Sequence, residues 1–317
     1  MRRSLAAASL AVVTTVTALG VAAPAGHASV GDVDLVQRWA PVLYQDVDDS
    51  DADADYLSRM DFDGDWDMRD NWENQEVLTD QLTGAAYYSV SETATHWFIV
   101  YAYFHPRDWV DWWDPFNIDH HENDLEGVLL TVRKDGTTYG ALEGMITVAH
   151  THFWSYTPPG SPFVDGGQSV DGEIIMQNVD GFDRPTIEQE AKGHGIYAWS
   201  GEEFPGGDGI VYHPGGHGEL PDGGNDRSVS YELIDLFGPG QLWDHRGDSR
   251  TFASEGALAG DDGKDNAAMT PWRWDDSDDG DHLQRGLIGL DPAYLVSNYF
   301  DGTGDFATEY TRMPYVL

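Results

Sequence analysis

Residues 119–127, Asp-His-His-Glu-Asn-Asp-Leu-Glu-Gly, carry the side chains needed to hold a divalent metal ion. Carboxylates favour Mg²⁺ or Ca²⁺, and imidazoles admit Mn²⁺ or Zn²⁺ as alternatives. Residues 128–132 form an apolar run typical of a strand, in which side chains two apart share a face. Asp124 and Glu126 should therefore point to one side, together with Glu122 if the strand begins that early. The competing interpretation is an acidic loop that only caps a hairpin.

Three histidines are candidates for acid–base chemistry beside such an ion. His150 and His152 follow the predicted strand 138–149, where a His-x-His pair would place both rings on one face. His194 stands between two glycines, whose backbone allows the ring to approach another group closely. The other interpretations are surface histidines at a strand end for the pair, and a simple turn for His194.

The sequence lacks the motifs of several enzyme classes. There is no Gly-x-Ser-x-Gly elbow, no Gly-rich phosphate loop ahead of a helix and no His-Glu-x-x-His zinc motif. Carboxylates and imidazoles on strands and loops remain. They suit a metal ion that activates water for hydrolysis, with His150, His152 or His194 as acid or base, and equally an ion that clamps a headgroup without turnover.

Two acidic runs precede the central stretch. Residues 46–55 contain six aspartates, and residues 61–67 alternate aspartate with other residues. Oxygen ligands at every second residue resemble a calcium loop, although the glycine and glutamate of an EF-hand cannot both be placed. Calcium binding and a solvated acidic loop are both left open here.

The composition restricts the partners and the compartment. A net charge of −39 argues against nucleic acid and anionic membrane surfaces as direct partners, and the absence of cysteine excludes disulfides and thiolate metal sites. Residues 1–28 have the charged start, apolar centre and small-residue end of a signal peptide. We therefore expect a secreted protein without a transmembrane segment in its mature chain.

The pattern of the chain predicts a mostly β fold. Residues 85–90 and 96–104 should form one hairpin and residues 125–133 and 138–149 a second, because these runs are aromatic and β-branched and are separated by turn residues. Apolar residues on both faces of the first hairpin favour the centre of a sandwich. The expectation is a single antiparallel β-sandwich over residues 29–317, with core strands at about 85–237, a loop-rich part at 238–317, long acidic loops and a few short helices.

Two short helices are predicted at the ends of this domain. Residues 35–44 should begin as a helix that ends before Pro41 and continue as a strand. Asp291 followed by Pro292 is a typical helix start, with aspartate as the N-cap.

The central region resembles the necrosis- and ethylene-inducing protein family. Residues 101–108, Tyr-Ala-Tyr-Phe-His-Pro-Arg-Asp, are similar to the family's Tyr-Phe-Pro-Lys-Asp-like segment, and residues 121–130 are similar to its Gly-His-Arg-His-Asp-Trp-Glu heptapeptide and following strand. Residues 193–197 are similar to a later Ser-His-Gly-x-Tyr stretch. The resemblance implies a β-sandwich with a divalent-metal site formed by four side chains: Asp108, His121, Asp124 and Glu126.

This chain also departs from the family pattern. Asp119 and His120 replace the start of the heptapeptide, Asn123 stands where its second histidine belongs, Leu125 replaces tryptophan, and the family's cysteines are absent. The loop after Asp108 is longer. Family members bind glycosylated sphingolipid headgroups and are toxins rather than enzymes, so the resemblance implies a glycan or lipid headgroup as partner.

Three functions are compatible with these features. The first is a secreted, metal-binding, cytolysin-like protein, with Trp109, Trp112 and Trp113 as an aromatic surface for a sugar ring or membrane. The second is a secreted metal-dependent hydrolase of phosphodiester or glycosidic bonds, and the third is a calcium-stabilised structural domain. Core packing is the competing role for at least one of the tryptophans.

Overall fold

A computed structural model describes residues 31–116, 119–202, 204, 207–277 and 285–316. The predicted signal peptide, residues 1–28, lies outside these ranges. Among the described residues, none of the helices combines the length and the apolarity that a membrane crossing requires.

The described chain contains seventeen strands and four short α-helices. The strands are β1 Val42–Asp46, β2 Ala85–Thr93, β3 His96–Asp108, β4 His121–Arg133, β5 Ala141–Ala149, β6 His152–Thr157, β7 Val164–Asp165, β8 Gly172–Glu173, β9 Met176–Val179, β10 Phe182–Gln189, β11 Ile196–Ala198, β12 Gly209–Pro214, β13 Val229–Asp235, β14 Phe252–Ser254, β15 Ala257–Leu258, β16 Phe300–Asp301 and β17 Tyr310–Arg312. The helices are α1 Asp32–Trp39, α2 Asn71–Val77, α3 Leu287–Leu290 and α4 Pro292–Tyr299, and short 3₁₀ turns lie at Ala52–Asp55, Thr79–Gln81 and Leu242–His245.

One large sheet organises the fold. Its strands follow the order β11-β10-β1-β12-β13-β2-β3-β4-β5-β6-β8, with β17 beside β2 and β9 beside β10. The sheet curls, because β11 near one end also lies against β4 and β5. The mostly β prediction is confirmed, but the plain antiparallel sandwich is wrong.

The sheet is mixed because several of its neighbours are parallel. The pairs β1–β10, β12–β13, β13–β2 and β6–β8 run parallel, while β2–β3, β3–β4 and β4–β5 are antiparallel. Parallel neighbours need crossover connections of about a dozen residues or more, so local hairpin signals do not reveal them.

The predicted hairpins and helices form close to their expected positions. β2 and β3 extend the first hairpin, and β4 and β5 form the second. α1 buries Leu35 and Val36 and ends at Trp39, before Pro41, whose ring disfavours helical backbone in the preceding residue. The Asp291 side chain accepts a hydrogen bond from the Tyr294 amide and caps α4 as predicted.

The core lies along the central strands. Tyr87, Tyr101, Tyr103, Phe98 and Phe104 are fully buried on β2 and β3 and pack with apolar residues of β4 and β5. Both faces of β3 are covered, and this packing positions the last residues of the strand, where the candidate site begins.

Candidate functional site

The predicted metal ligands lie at one end of the β3–β4 pair. The register places Asp108 opposite His121, His105 opposite Asp124, and Tyr103 opposite Glu126. A cavity of about 790 Å³ opens there, and its lining includes Asp108, His121, Asp124 and Glu126. The structure therefore brings all four predicted residues to one cavity.

Two carboxylates of this group, Asp108 and Glu126, lie in an environment that disfavours their charge. Burial, and next the charge of Asp124, raise the pKa of Asp108 to about 6. The same two causes raise the pKa of Glu126 well above its usual value. The Oε2 atom of Glu126 is buried without a hydrogen-bond partner, while its Oε1 accepts a bond of 2.9 Å from the His150 amide. A bound cation would satisfy this orphaned oxygen and offset the repulsion, so the donor set fits a divalent ion.

The four side chains surround a wider space than a closed metal shell. Asp108 Oδ2 lies 3.4 Å from His121 Nε2, but no three of the four have ligand atoms within 4.8 Å of one another. Among the described residues, that spacing is met by Asp63, Asp65 and Asp70, which belong to the second acidic run and its continuation.

His194 is a buried residue that contacts Asp124 of the site. It is fully buried, with Nδ1 3.1 Å from Asp124 Oδ2 and Nε2 3.3 Å from Asp55 Oδ1. Burial lowers its pKa, but the bonds to Asp124 and Asp55 outweigh burial and raise the pKa to about 9. A protonated His194 between two carboxylates orients Asp124 rather than facing the cavity.

The glycines beside His194 are required by close packing. A Cβ atom on Gly193 would meet the His150 ring, and one on Gly195 would meet Glu190 and Ala149. His194 itself has a positive φ of 52°. The close approach expected from this Gly-His-Gly sequence is therefore present, although the partners of the ring are carboxylates within the fold.

A second histidine, His105, lies flat against His194. The two rings are parallel, with centroids 3.7 Å apart, and His105 is completely buried. Burial, and then the charge of His194, lower the pKa of His105 well below its usual value. A neutral His105 and a charged His194 can stack in this way, whereas two charged rings would repel.

The structure places the two members of the predicted His150/His152 pair on different elements. His150 lies in the turn between β5 and β6 with a φ of 58°, lines the cavity, and places Nε2 2.6 Å from Glu190 Oε1. His152 begins β6, one residue beyond Thr151, the last lining residue of this turn. The prediction that both rings share a face assumed a continuing strand, and the turn removes that alternation.

Glu122 also departs from the expected face. Its side chain accepts hydrogen bonds from the amides of Trp72 and Asp261, at 3.0 Å each, on the side of α2. The reason is Asn123, whose positive φ of 60° interrupts the alternation of the strand between Glu122 and Asp124. Asn123 is therefore a turning point within β4.

Asp55 belongs to the site, although nothing in the local sequence distinguishes it from the acidic run around it. Its Oδ1 accepts hydrogen bonds from Trp109 Nε1 at 2.8 Å and from the Lys192 amide at 2.9 Å, and its Oδ2 accepts one from the Asp48 amide at 2.8 Å. Asp55 is completely buried. A local sequence signal for this role is lacking, because its burial depends on strands distant in the chain.

The tryptophans of the loop after β3 have different environments. Trp109 is buried against Asp55, as the core-packing interpretation expected for at least one of them. Trp112 and Trp113 are 54% and 83% exposed, and Trp112 lines the cavity. An exposed aromatic ring, Trp112, therefore lies at the cavity, and Trp113 is its exposed neighbour in the chain.

Comparisons with known proteins give remote matches. No family model and no curated protein matches the chain. A solved structure described as a toxin fold for microbial attack and plant defense matches with 14% identity and a TM-score of 0.32, covering 52% of this chain and 67% of that one. Necrosis and ethylene inducing protein 2 from the causal agent of cocoa's Witches Broom disease matches with 14% identity and a TM-score of 0.32, covering 69% and 92%.

A third match, described as NLPPya in complex with glucosamine, has 14% identity and a TM-score of 0.28 and covers 52% of this chain and 66% of that one. These are structures of the family that the central motif resembles, so the remote resemblance is confirmed. TM-scores of this size do not establish a shared function.

Proposed function

We propose that the chain is a divalent-metal-binding protein that engages a glycan or lipid headgroup beside the metal. Asp108, His121, Asp124 and Glu126 would hold Mg²⁺ or Ca²⁺, with Mn²⁺ or Zn²⁺ as alternatives. The observation that carries the proposal is the buried, unpartnered oxygen of Glu126 beside two further carboxylates at a cavity. The ion would supply the positive charge that this group lacks and a contact for ligand oxygens.

The metal site is tested with Glu126→Gln. Glutamine keeps an oxygen for the His150 amide, so the fold is retained while one ligand charge is removed. We expect the affinity for Ca²⁺ or Mn²⁺, measured by calorimetry, to fall more than about tenfold. The melting temperature of the metal-free variant should rise, because folding no longer desolvates a carboxylate next to Asp108 and Asp124.

The matched control is Asp63→Asn/Asp65→Asn, which alters the acidic group whose ligand atoms lie within 4.8 Å. If this control loses the ion and Glu126→Gln keeps it, the ion belongs to the second acidic run and the proposal is wrong. Metal content of the purified protein, measured by mass spectrometry, identifies the ion.

The ligand surface is tested with Trp112→Ala/Trp113→Ala. Both rings are exposed and Trp112 lines the cavity, and an aromatic contact with a headgroup contributes about 1 kcal/mol each. We expect binding to vesicles that contain glycosylated sphingolipids, with Mn²⁺ present, to weaken about tenfold or more. Tyr294→Ala, which removes an exposed ring on α4, is the control and should bind as the unaltered protein does.

The same vesicles separate the alternative functions. Leakage without a released headgroup supports the binding protein. Release of the headgroup, lost in His150→Ala with the fold intact, would support the hydrolase instead. A metal-dependent rise in melting temperature without vesicle or glycan binding would leave a metal-stabilised structural domain.

A further inference from the structure

A second, smaller cavity lies beside the first and has a different chemistry. Its volume is about 280 Å³, at the lower end of the range for small-molecule pockets. The lining consists of four aromatic side chains, among them Tyr44, Trp199 and Phe204, four carboxylates, among them Asp46 and Glu188, and two neutral polar residues.

Stacked aromatic rings form one wall of this cavity, and hydrogen bonds hold them in place. The Tyr44 and Trp199 rings are stacked, with centroids 4.0 Å apart and planes within 4°, and Phe204 lies 6.1 Å from Tyr44. The ends of the stack are fixed, since Tyr44 Oη donates to Gln177 Oε1 at 2.9 Å and Trp199 Nε1 donates to the Glu202 carbonyl at 2.9 Å. An aromatic face attracts a cation and also packs against an apolar body.

The carboxylates give the cavity its charge. Glu188 is held in place because its Oε2 accepts bonds from the Ser200 amide and hydroxyl at 2.9 and 3.0 Å. Burial, and next the charge of Asp55, raise the pKa of Asp46 to about 6. A cation bound nearby would stabilise the ionised form of this carboxylate. Among the described residues that line the cavity, none is lysine, arginine or histidine.

This combination favours one class of ligand. An anion would be repelled by four carboxylates, and a neutral sugar would leave their charge uncompensated. A bare metal ion needs oxygen or nitrogen ligands, and the faces of the stacked rings do not provide them. We propose that this cavity binds a small organic ammonium compound, a protonated or quaternary amine, between the Tyr44–Trp199 wall and the carboxylates.

The proposed site is separate from the metal site but borders it. Glu190 lines the smaller cavity, and its Oε1 is 2.6 Å from Nε2 of His150, which lines the larger one. Variants of Glu190 would therefore disturb both cavities, so the test uses Trp199 and Glu188 instead.

Choline is the probe, and its neutral isostere, in which carbon replaces the ammonium nitrogen, is the matched ligand. We expect saturable choline binding by calorimetry, at least about tenfold weaker in Trp199→Ala and weaker in Glu188→Gln. Trp66→Ala, which removes another stacked indole, 4.4 Å from His245, should bind choline unchanged. The isostere should bind at least about tenfold more weakly than choline.

The Trp199 indole N–H gives a second readout, because its NMR signal should shift on choline binding and is identified by its loss in Trp199→Phe. Equal binding of choline and the isostere, unchanged choline binding in Trp199→Ala, or no saturation would each overturn the proposal. Choline binding should persist in Glu126→Gln, so failure of the metal site leaves this result intact.

Discussion

Gly127→Ala is expected to destabilise the protein by about 3 kcal/mol, with loss of most of the folded state in moderate urea. Gly127 lies in β4 opposite Ala102, and a Cβ atom there would overlap the Tyr101 carbonyl oxygen and the Trp274 ring. Neither group can move easily. The Tyr101 carbonyl is backbone of the central strand, and Trp274 Nε1 donates to the Leu125 and Met269 carbonyls at 2.8 Å each.

Urea unfolding followed by circular dichroism measures this effect. Gly216→Ala is the control, because a Cβ atom there meets no atom within 4 Å, and its free energy of unfolding should change by less than about 0.5 kcal/mol. A cost below about 1 kcal/mol for Gly127→Ala would mean that β3 and β4 separate readily. The tight packing described for this strand pair would then be wrong.

Asn123→Ala is the second substitution with a large expected effect, about 3 kcal/mol of stability. The Asn123 side chain is completely buried, donates to the Met68 and Ala259 carbonyls at 2.7 and 2.9 Å, and accepts a bond of 2.6 Å from Asn71 Nδ2. Alanine removes these three bonds, leaves their partners buried, and is strained at a positive φ.

Asn266→Ala is the matched control for this prediction. Asn266 has a φ of 58°, close to the 60° of Asn123, but its side chain is only partly buried and accepts one bond, from the Gly260 amide at 3.1 Å. Its loss should cost about 1 kcal/mol. Equal costs for the two variants in the same unfolding experiment would assign the effect of Asn123 to backbone strain instead of to its buried bonds.

The residues that sequence analysis located best are those with strong local patterns. The β2–β3 hairpin follows from aromatic and β-branched runs, and α4 follows from Asp291 and Pro292, whose roles depend only on their own backbone. Asp108, His121, Asp124 and Glu126 were named together through the family resemblance, and the structure places them at one cavity. Their binding of a metal stays a prediction.

Other features depend on contacts that no local pattern records. The parallel pairing of β13 with β2 joins Glu232 to Ala85, so the sandwich predicted from hairpin signals was the wrong architecture. Asp55 looked like its acidic neighbours, yet tertiary packing alone buries it beneath His194. The turn at His150 interrupts an apolar run, and the side chain of Glu126, on a different strand, accepts a hydrogen bond from the His150 amide.

The position of β1 in the sheet has a consequence for the order in which the molecule can fold. Val42 pairs with Thr186 on one side of β1, and Leu43 pairs with Tyr212 on the other, so both neighbours of this early strand lie far downstream. The ribosome synthesises β1 early, whereas β10 and β12 follow only after more than half of the chain has been made. Both edges of β1 therefore stay unpaired until then. High contact order of this kind slows folding and lengthens the interval in which an unpaired strand edge can join another molecule. The aspartates that follow β1 give the unpaired strand a strongly negative neighbour in the chain. Their mutual repulsion opposes association between nascent chains.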